Sequence, residues 1–317
     1  MAETGNNVDR AAEIILEGGL VAIPTETVYG LAANTLNEKA ILSIFEAKQR
    51  PFFDPLIVHV HSLEAVGKYA DLDDHRLLKL AKTFWPGPLT LLLPKKNNIP
   101  SIVTSGLERV AIRVPNHELT LKLLEKLDLP LAAPSANPFG YVSPTLAQHV
   151  EKQLGHKVNY ILDGGPSKVG LESTIVGIEE GNVCVYRLGG LSLEEIEKVV
   201  GKVELRINNS SDPKAPGQLK NHYAPRKPLF VGDLRELSEL HKNEKIAIIH
   251  FGNKEIPSHI KAFDLSPGKD LKEAALNLFR FLREADESSA EIVLCEPLPD
   301  EGLGRAINDR LRRASVQ

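Results

Sequence analysis

Apolar positions in this chain alternate between short strand-like runs and stretches of helical period. Ala11, Ile14 and Ile15 share one helical face, and Gly18-Gly19 ends it. The run "LVAI" (20–23) that follows reads as a buried strand. Asn37 is placed to cap a second helix, in which Ala40, Ile41, Ile44 and Phe45 recur at helical spacing. Further strands are expected at "PLIVHV" (55–60) and "LTLLL" (89–93). "RVAIRV" (109–114) alternates, which puts Arg109, Ala111 and Arg113 on one face. "PLAAPSAN" (130–137) reads as a strand running into a turn. "NYILDGG" (159–165), "ESTIVGI" (172–178) and "VCVYRLG" (183–189) add strands, with Ser192 capping the helix after them. Strands and helices interleave, but some strands follow each other directly. That pattern predicts an α/β layer fold around an open, twisted mixed sheet.

The segment 206–228 breaks the pattern. Rich in proline and small polar residues and without an apolar period, it reads as a linker. Beyond it, "LFVGD", "KIAIIHF" and "AEIVLCEP" are strand runs separated by helical ones. Residues 270–286 carry the clearest helical stripe: Leu271, Ala274, Ala275, Leu278, Phe279 and Leu282. The expected organisation is a first domain over 1–205, the linker 206–228, and a smaller Rossmann-like α/β domain over 229–317.

Composition narrows the function classes. With 42% apolar and 25% charged residues, the 317-residue chain has ordinary globular proportions. The 38 Lys and Arg against 42 Asp and Glu give a net charge of −4, which argues against a module held to nucleic acid by a general basic field. Cys184 and Cys295 lie far apart and outside any metal-ligand spacing, which fits a reduced, cytoplasmic protein. The acidic first twenty residues do not resemble a signal peptide, and no apolar run is long enough to span a membrane.

Candidate chemistry is scattered over loop and strand ends. Lys48 and Arg50 precede Pro51; in extended chain they would point the same way and offer two cations to one anion. The other reading is a solvated pair closing a helix. Ser135 and Asn137 end a strand, where open α/β sheets place ligands, but Ser and Asn also make ordinary turns. "PTETVYGL" puts Thr25 and Thr27 on one face if extended, with Tyr29 a step further. Arg113 and Arg187 sit within otherwise apolar strands, so each needs an anionic partner, from a ligand or from the chain. His59 lies within an apolar strand, where a hydrogen-bonded core histidine is the default, and no HxxxH or CxxC pattern accompanies it. GxxxxGK[ST], GxGxxG at a helix start and GxSxG are all missing, so a bound nucleotide would be held by scattered cations and hydroxyls.

Taken in order, "PTETVYGL", "KQRP" with "PLIVHV", "WPGPLTL", "VAIRVP", "APSAN", "ESTIV" and "RLGG" resemble the YrdC-like domain of L-threonylcarbamoyladenylate synthases over about residues 8–205. "PGQLKNHYAP" and "GLGRAINDRLRRAS" resemble the long, two-domain form, so the likeness covers nearly the whole chain. The resemblance implies a nucleotidyltransferase. It would make threonylcarbamoyl-AMP and pyrophosphate from L-threonine, bicarbonate or CO2, and ATP, with Mg2+ on the phosphates. The product would pass to a transferase complex that modifies the adenosine beside the anticodon of ANN-decoding tRNAs. A direct contact with tRNA has no support in the charge balance.

The resemblance also implies roles for residues. Thr27, His59, Arg113 and Ser173 correspond to the threonine-binding set. Lys48, Arg50, Asp54, Ser135, Asn137, Ser143, Arg187 and Tyr223 correspond to the ATP-binding set, with Lys48 and Arg50 as the catalytic cations and no metal ligands. Asp54 stands where the family usually has asparagine; it would repel a triphosphate unless Mg2+ or Arg50 lay between, or it orients Arg50. Tyr223 belongs to the linker, which in the long form folds back over the opening and would shield a labile mixed anhydride. Two competing readings are a non-catalytic RNA-binding module and a carbamoyltransferase-related domain. The first lacks interleaved surface aromatics, and the second lacks acylphosphatase-like and zinc-finger segments.

Overall fold

The computed structural model describes residues 2–207, 215–216 and 223–315. Among these, eleven strands form one mixed sheet. Across it run Glu3–Gly5, Tyr160–Leu162, Val21–Ile23, Gly30–Asn34, Leu131–Ala132, Ile57–His59, Arg109–Arg113, Leu89–Pro94, Thr174–Glu179, Asn182–Arg187 and Glu204–Leu205. Ile57–His59 pairs parallel with Arg109–Arg113, setting His59 beside Arg113. Thr174–Glu179 and Asn182–Arg187 form an antiparallel hairpin, with a register shift between Val185 and Arg187. Four more strands, Leu229–Val231, Ile292–Cys295, Ile246–His250 and Lys261–Asp264, make a second sheet that is wholly parallel. This is the mixed-sheet α/β fold with a smaller Rossmann-like sheet that the sequence predicts.

Several helices begin where side chains satisfy free backbone N–H groups. Asn7 and Asn37 each accept from two backbone amides at the starts of Val8–Leu16 and Glu38–Lys48. Ser192 and Glu195 form a reciprocal capping box at Leu193–Val200. The helices His75–Phe84, Glu118–Leu127 and Ala147–Leu154 are not delimited by the apolar pattern. Each is short, and its buried positions number only three or four.

Two local expectations are corrected. Residues 24–29 of "PTETVYGL" are not extended strand, so Thr25 and Thr27 do not share a strand face. Val21–Ile23 turns back on Gly30–Ala32 as an antiparallel pair, with residues 24–29 forming the connection. The Thr25 hydroxyl curls that connection by accepting from the Thr27 and Val28 amides, each at 3.2 Å, and donating to the Val28 carbonyl at 2.6 Å. Nor do Lys48 and Arg50 share an extended run. Lys48 ends the helix, and Gln49 takes a left-handed conformation at φ 55°, so the two cations are not alternate residues of one extended run.

One continuous apolar core joins the two halves. It runs from Leu31, Val58 and Ile112 through Val142 and Val150 to Leu278, Phe279 and Leu311. Leu278 and Phe279 lie on the 17-residue helix Leu271–Glu287, whose buried stripe is the one the sequence predicts. From this helix the buried Arg283 donates to the carbonyls of Val142 and Ser143 and to Gln153. Residues 208–214 and 217–222, and with them the expectation that the linker folds over the opening, lie outside the described residues.

Candidate active site

A cleft opens where Ile57–His59, Arg109–Arg113 and the Thr174–Arg187 hairpin meet the connection 24–29 and the loop after Ala132. Thr27, Arg50, His59, Arg113, Ser135, Ser173, Arg187 and Tyr223 all line it. Lys48, Asp54, Asn137 and Ser143 do not. Residues from seven separate sequence motifs therefore converge on one cavity.

Three guanidinium groups, all buried, dominate its chemistry. Arg50 donates from Nε to the Asp54 carbonyl at 3.0 Å and from Nη2 to the Pro55 carbonyl at 2.8 Å. Its Nη2 also lies 2.9 Å from Asp54 Oδ2, and the Asp54 side chain is fully buried. Asp54 thus orients and neutralises Arg50 from behind the cleft wall. Arg187 donates from Nε and Nη2 to the Ser173 carbonyl at 3.1 and 2.9 Å, and from Nη2 to the Ser173 hydroxyl at 3.1 Å. Burial lowers its pKa to about 10, which leaves it charged at neutral pH. Arg113 donates from Nε to the Gly87 carbonyl at 3.2 Å, and its Nη2 lies 2.7 Å from Glu26 Oε1. The chain itself therefore supplies an anionic partner for Arg113.

His59 lines the same cleft, beside Arg113. Burial, reinforced by the charge of Arg113, pushes its imidazolium pKa down to about 3, so the ring is neutral. The Ile57 and Leu131 backbone lies within hydrogen-bonding reach of the ring and favours its charged form, but burial outweighs it. Ser173 shares a 2.7 Å hydrogen bond with Thr90, and Thr27 one of 2.8 Å with Thr25, so both hydroxyls are held in place.

Lys48 works differently from the exposed clamp that its sequence position suggests. It is 1% exposed, and its Nζ donates to the backbone carbonyls of Ser135 and Asn137. Burial, with the nearby charge of Arg50, holds its pKa well below the usual lysine value. Lys48 fixes the loop that brings Ser135 to the cleft. Asn137 strengthens the same loop, with Nδ2 donating to the Pro138 and Tyr141 carbonyls at 2.8 Å each. Tyr29 does not join Thr25 and Thr27 at the cleft; its hydroxyl donates to the Gly165 carbonyl at 2.7 Å.

Sequence reasoning passed over Glu26, Glu172, Thr90 and Arg310. Glu172 lines the cleft, accepting from the Ser143 hydroxyl at 2.6 Å and from Arg310 Nε at 2.9 Å. Burial works to raise its pKa, but Arg310, Arg187 and Ser143 outweigh that and hold it below the usual value. Tyr223, itself at φ 69°, stacks on Phe279 at 5.7 Å and lies under the Arg310 guanidinium at 4.8 Å. Glu26 and Glu172 lay within quoted motifs, and the need of Arg113 for an anion was the available signal for Glu26.

This is the cleft of a two-domain α/β protein of the YrdC-like class. Residues 13–189 match the family profile described as "Telomere recombination", and residues 191–316 match "Threonylcarbamoyl-AMP synthase, C-terminal domain". The chain is 43% identical to the threonylcarbamoyl-AMP synthase of Pyrococcus abyssi, over 96% of this chain and 93% of that one. It is 38% identical to the Bacillus subtilis protein of the same name, over 97% and 92%. The crystal structure of P. abyssi Sua5 complexed with L-threonine superposes with a TM-score of 0.92 at 41% identity, covering 99% of this chain and 97% of that one. The chain belongs to the threonylcarbamoyl-AMP synthase family and is an enzyme of the nucleotidyltransferase type.

Proposed function

We propose that this enzyme joins L-threonine, bicarbonate or CO2, and ATP into L-threonylcarbamoyladenylate, with release of pyrophosphate. The observation that carries the reading is the convergence of Arg50, Arg113 and Arg187 with neutral His59 on one cleft. Two ligands bearing a carboxylate and a triphosphate need several cations in one place, and a neutral imidazole leaves those charges unopposed by a ring that must itself be desolvated. That a relative 41% identical is complexed with L-threonine supports the amino-acid half.

In this reading Arg113 takes the threonine carboxylate, sharing its guanidinium with Glu26. His59, Thr27 and Ser173 contact the amino and hydroxyl groups. A site that hydrogen-bonds the threonine hydroxyl rejects analogues lacking it. Arg50, Arg187 and the Ser135 loop, held by Lys48 and Asn137, face the ATP, with Tyr223 closing the far side. The threonine amine takes up CO2 to form a carbamate and releases a proton. A carbamate oxygen then attacks the α-phosphorus in line, and the bond to pyrophosphate breaks. Positioning and charge neutralisation supply the rate, without a protein nucleophile.

Mg2+ would neutralise charge on the departing pyrophosphate. The carboxylates nearest the cleft, Glu26, Asp54 and Glu172, each lie in an ion pair with an arginine, so the ion is expected to ride on the triphosphate. The adenylate is then expected to serve a tRNA threonylcarbamoyl-transferase in the cytoplasm. Among the described residues no helix is long and apolar enough to cross a membrane, and both cysteines are free and buried.

The test is pyrophosphate release by purified protein given ATP, Mg2+, bicarbonate and threonine. Release that needs threonine, and is much slower with serine, is the expected result. Release independent of threonine would refute the reading.

A further inference from the structure

Glu172 presents a difficulty for a cleft that takes a triphosphate: it places a carboxylate, held in its charged form, in the wall. Its only ion pair among the described residues comes from Arg310, 138 residues further along the chain. Arg310 lies on the last helix, Gly304–Ser315, and its side chain is wholly buried. The rest of its guanidinium is fixed by the Leu188 carbonyl and by Asp309, each at 2.8 Å, with the Tyr223 ring against its face. Asp309 has a second cation in Arg313 at 3.1 Å, so Arg310 is not needed to neutralise it. Glu172 also feels the charge of Arg187, but among the described residues it makes ion-pair contact with Arg310 alone. Its remaining side-chain hydrogen bond, from Ser143, comes from a neutral hydroxyl.

We propose that Arg310 is a positioning residue for the nucleotide subsite: reaching in from the C-terminal half, it neutralises and orients Glu172 so that the cleft accepts a polyanion. The inference rests on the reading of this cleft as the ATP site. It assigns the C-terminal half an electrostatic part in substrate binding, beyond packing against the first domain. A buried carboxylate stripped of its cation repels an incoming phosphate, while a threonine seated at Arg113 keeps its own partner.

The experiment is calorimetric titration of the full-length protein with Mg-ATP and, separately, with threonine. Wild type, Arg310→Met, Glu172→Gln and the double variant are compared, with thermal melts alongside. Arg310→Met is expected to weaken Mg-ATP by about tenfold or more while threonine changes by less than about threefold. The double variant is expected to recover Mg-ATP binding to within about threefold of wild type, because the repelling charge is gone with its partner. Equal loss of both ligands in a folded Arg310→Met protein would overturn the inference. So would a double variant that melts like wild type yet binds Mg-ATP as poorly as Arg310→Met. If Arg310→Met does not fold, Glu172→Gln and the double variant decide: equal Mg-ATP affinities support the inference, and a gap of about tenfold refutes it. A wild-type protein that binds no Mg-ATP would refute the reading of the cleft itself, and that arm is read independently of the variants.

Discussion

Arg113 and Glu26 form an ion pair at 2.7 Å beside the cleft, with side chains only 4% and 6% exposed. Removing one partner leaves the other charge buried and uncompensated, at a cost of about 3–5 kcal/mol. Arg113→Ala should therefore lose both stability and threonine affinity, and the two losses are separable. In Arg113→Ala/Glu26→Gln the stability should largely return, while threonine binding stays weaker by about tenfold or more and ATP binding changes little. Urea denaturation and calorimetry measure the two quantities. Recovery of threonine binding in the double variant would show that Arg113 does not hold the carboxylate.

Asp54 makes a prediction with the opposite sign. It is buried behind Arg50 and reduces the positive charge that Arg50 presents to the cleft. Asp54→Asn keeps the shape, and the Asp54 and Pro55 carbonyls still hold the guanidinium. ATP affinity should rise by a few-fold, about 2–5, while the melting temperature falls, because Arg50 is left buried without its counter-charge. Were Asp54 a magnesium ligand, the same substitution would weaken ATP and alter the magnesium dependence. Titration of ATP at several Mg2+ concentrations separates the two.

How much of this was legible in the sequence depended on the range of the interaction. The strand at Ile57–His59, the caps Asn37 and Ser192 and the stripe of the Leu271–Glu287 helix follow from local period and local hydrogen bonding. The turn at 24–29 did not, because Thr, Val and Tyr favour strands and only pairing of Val21–Ile23 with Gly30–Ala32 forces the chain to reverse. Lys48 was visible as a candidate but not in its geometry. A left-handed Gln49 and two carbonyl acceptors nearly ninety residues away set its direction. Arg310 was still further from reach. It carried a resemblance to the long form, but nothing in "NDRLRRAS" tells which arginine is buried against Glu172.

The pH dependence of stability follows from two buried histidines. Burial, with Arg113 at His59 and with Arg283, Lys152 and Arg280 at His149, lowers both imidazolium pKa values to about 3. The folded pKa lies below the unfolded value of about 6.5, so between those limits the unfolded chain binds more protons. The stabilisation is complete above about pH 6.5 and is lost as the pH falls toward 3. Each histidine contributes at most about 1.4 kcal/mol per pH unit in that window. Carboxylates with lowered values, such as Glu172, add a loss only below their unfolded value of about 4.5. Urea midpoints between pH 5 and 6.5 should therefore fall with acidification, and His149→Gln should lower the slope, with His59 and His117, which burial also pushes down, supplying the remainder. An unchanged slope in that variant would place the protons elsewhere.

Gly170 tests how closely the two halves are tied. It sits at φ +79°, and a Cβ there would meet the Ala275 carbonyl oxygen and the Leu276 Cα, each at 2.4 Å. Those atoms belong to the backbone of the helix Leu271–Glu287, which cannot yield as a flexible side chain would. Gly181 provides the control, because it has nearly the same φ, +80°, and nothing within 4 Å of the added Cβ. Gly181→Ala should cost only the left-handed strain, about 1–2 kcal/mol. Gly170→Ala adds overpacking against a rigid neighbour, for a total of about 2–5 kcal/mol. It should also push the helix bearing Arg283 outward and disturb the loop at Val142 and Ser143 that Arg283 holds. The expected result is a lower melting temperature together with weaker ATP binding in Gly170→Ala, and unchanged ATP binding in Gly181→Ala. Equal effects of the two substitutions on both quantities would mean that the halves adjust freely, and that the cleft does not depend on their contact.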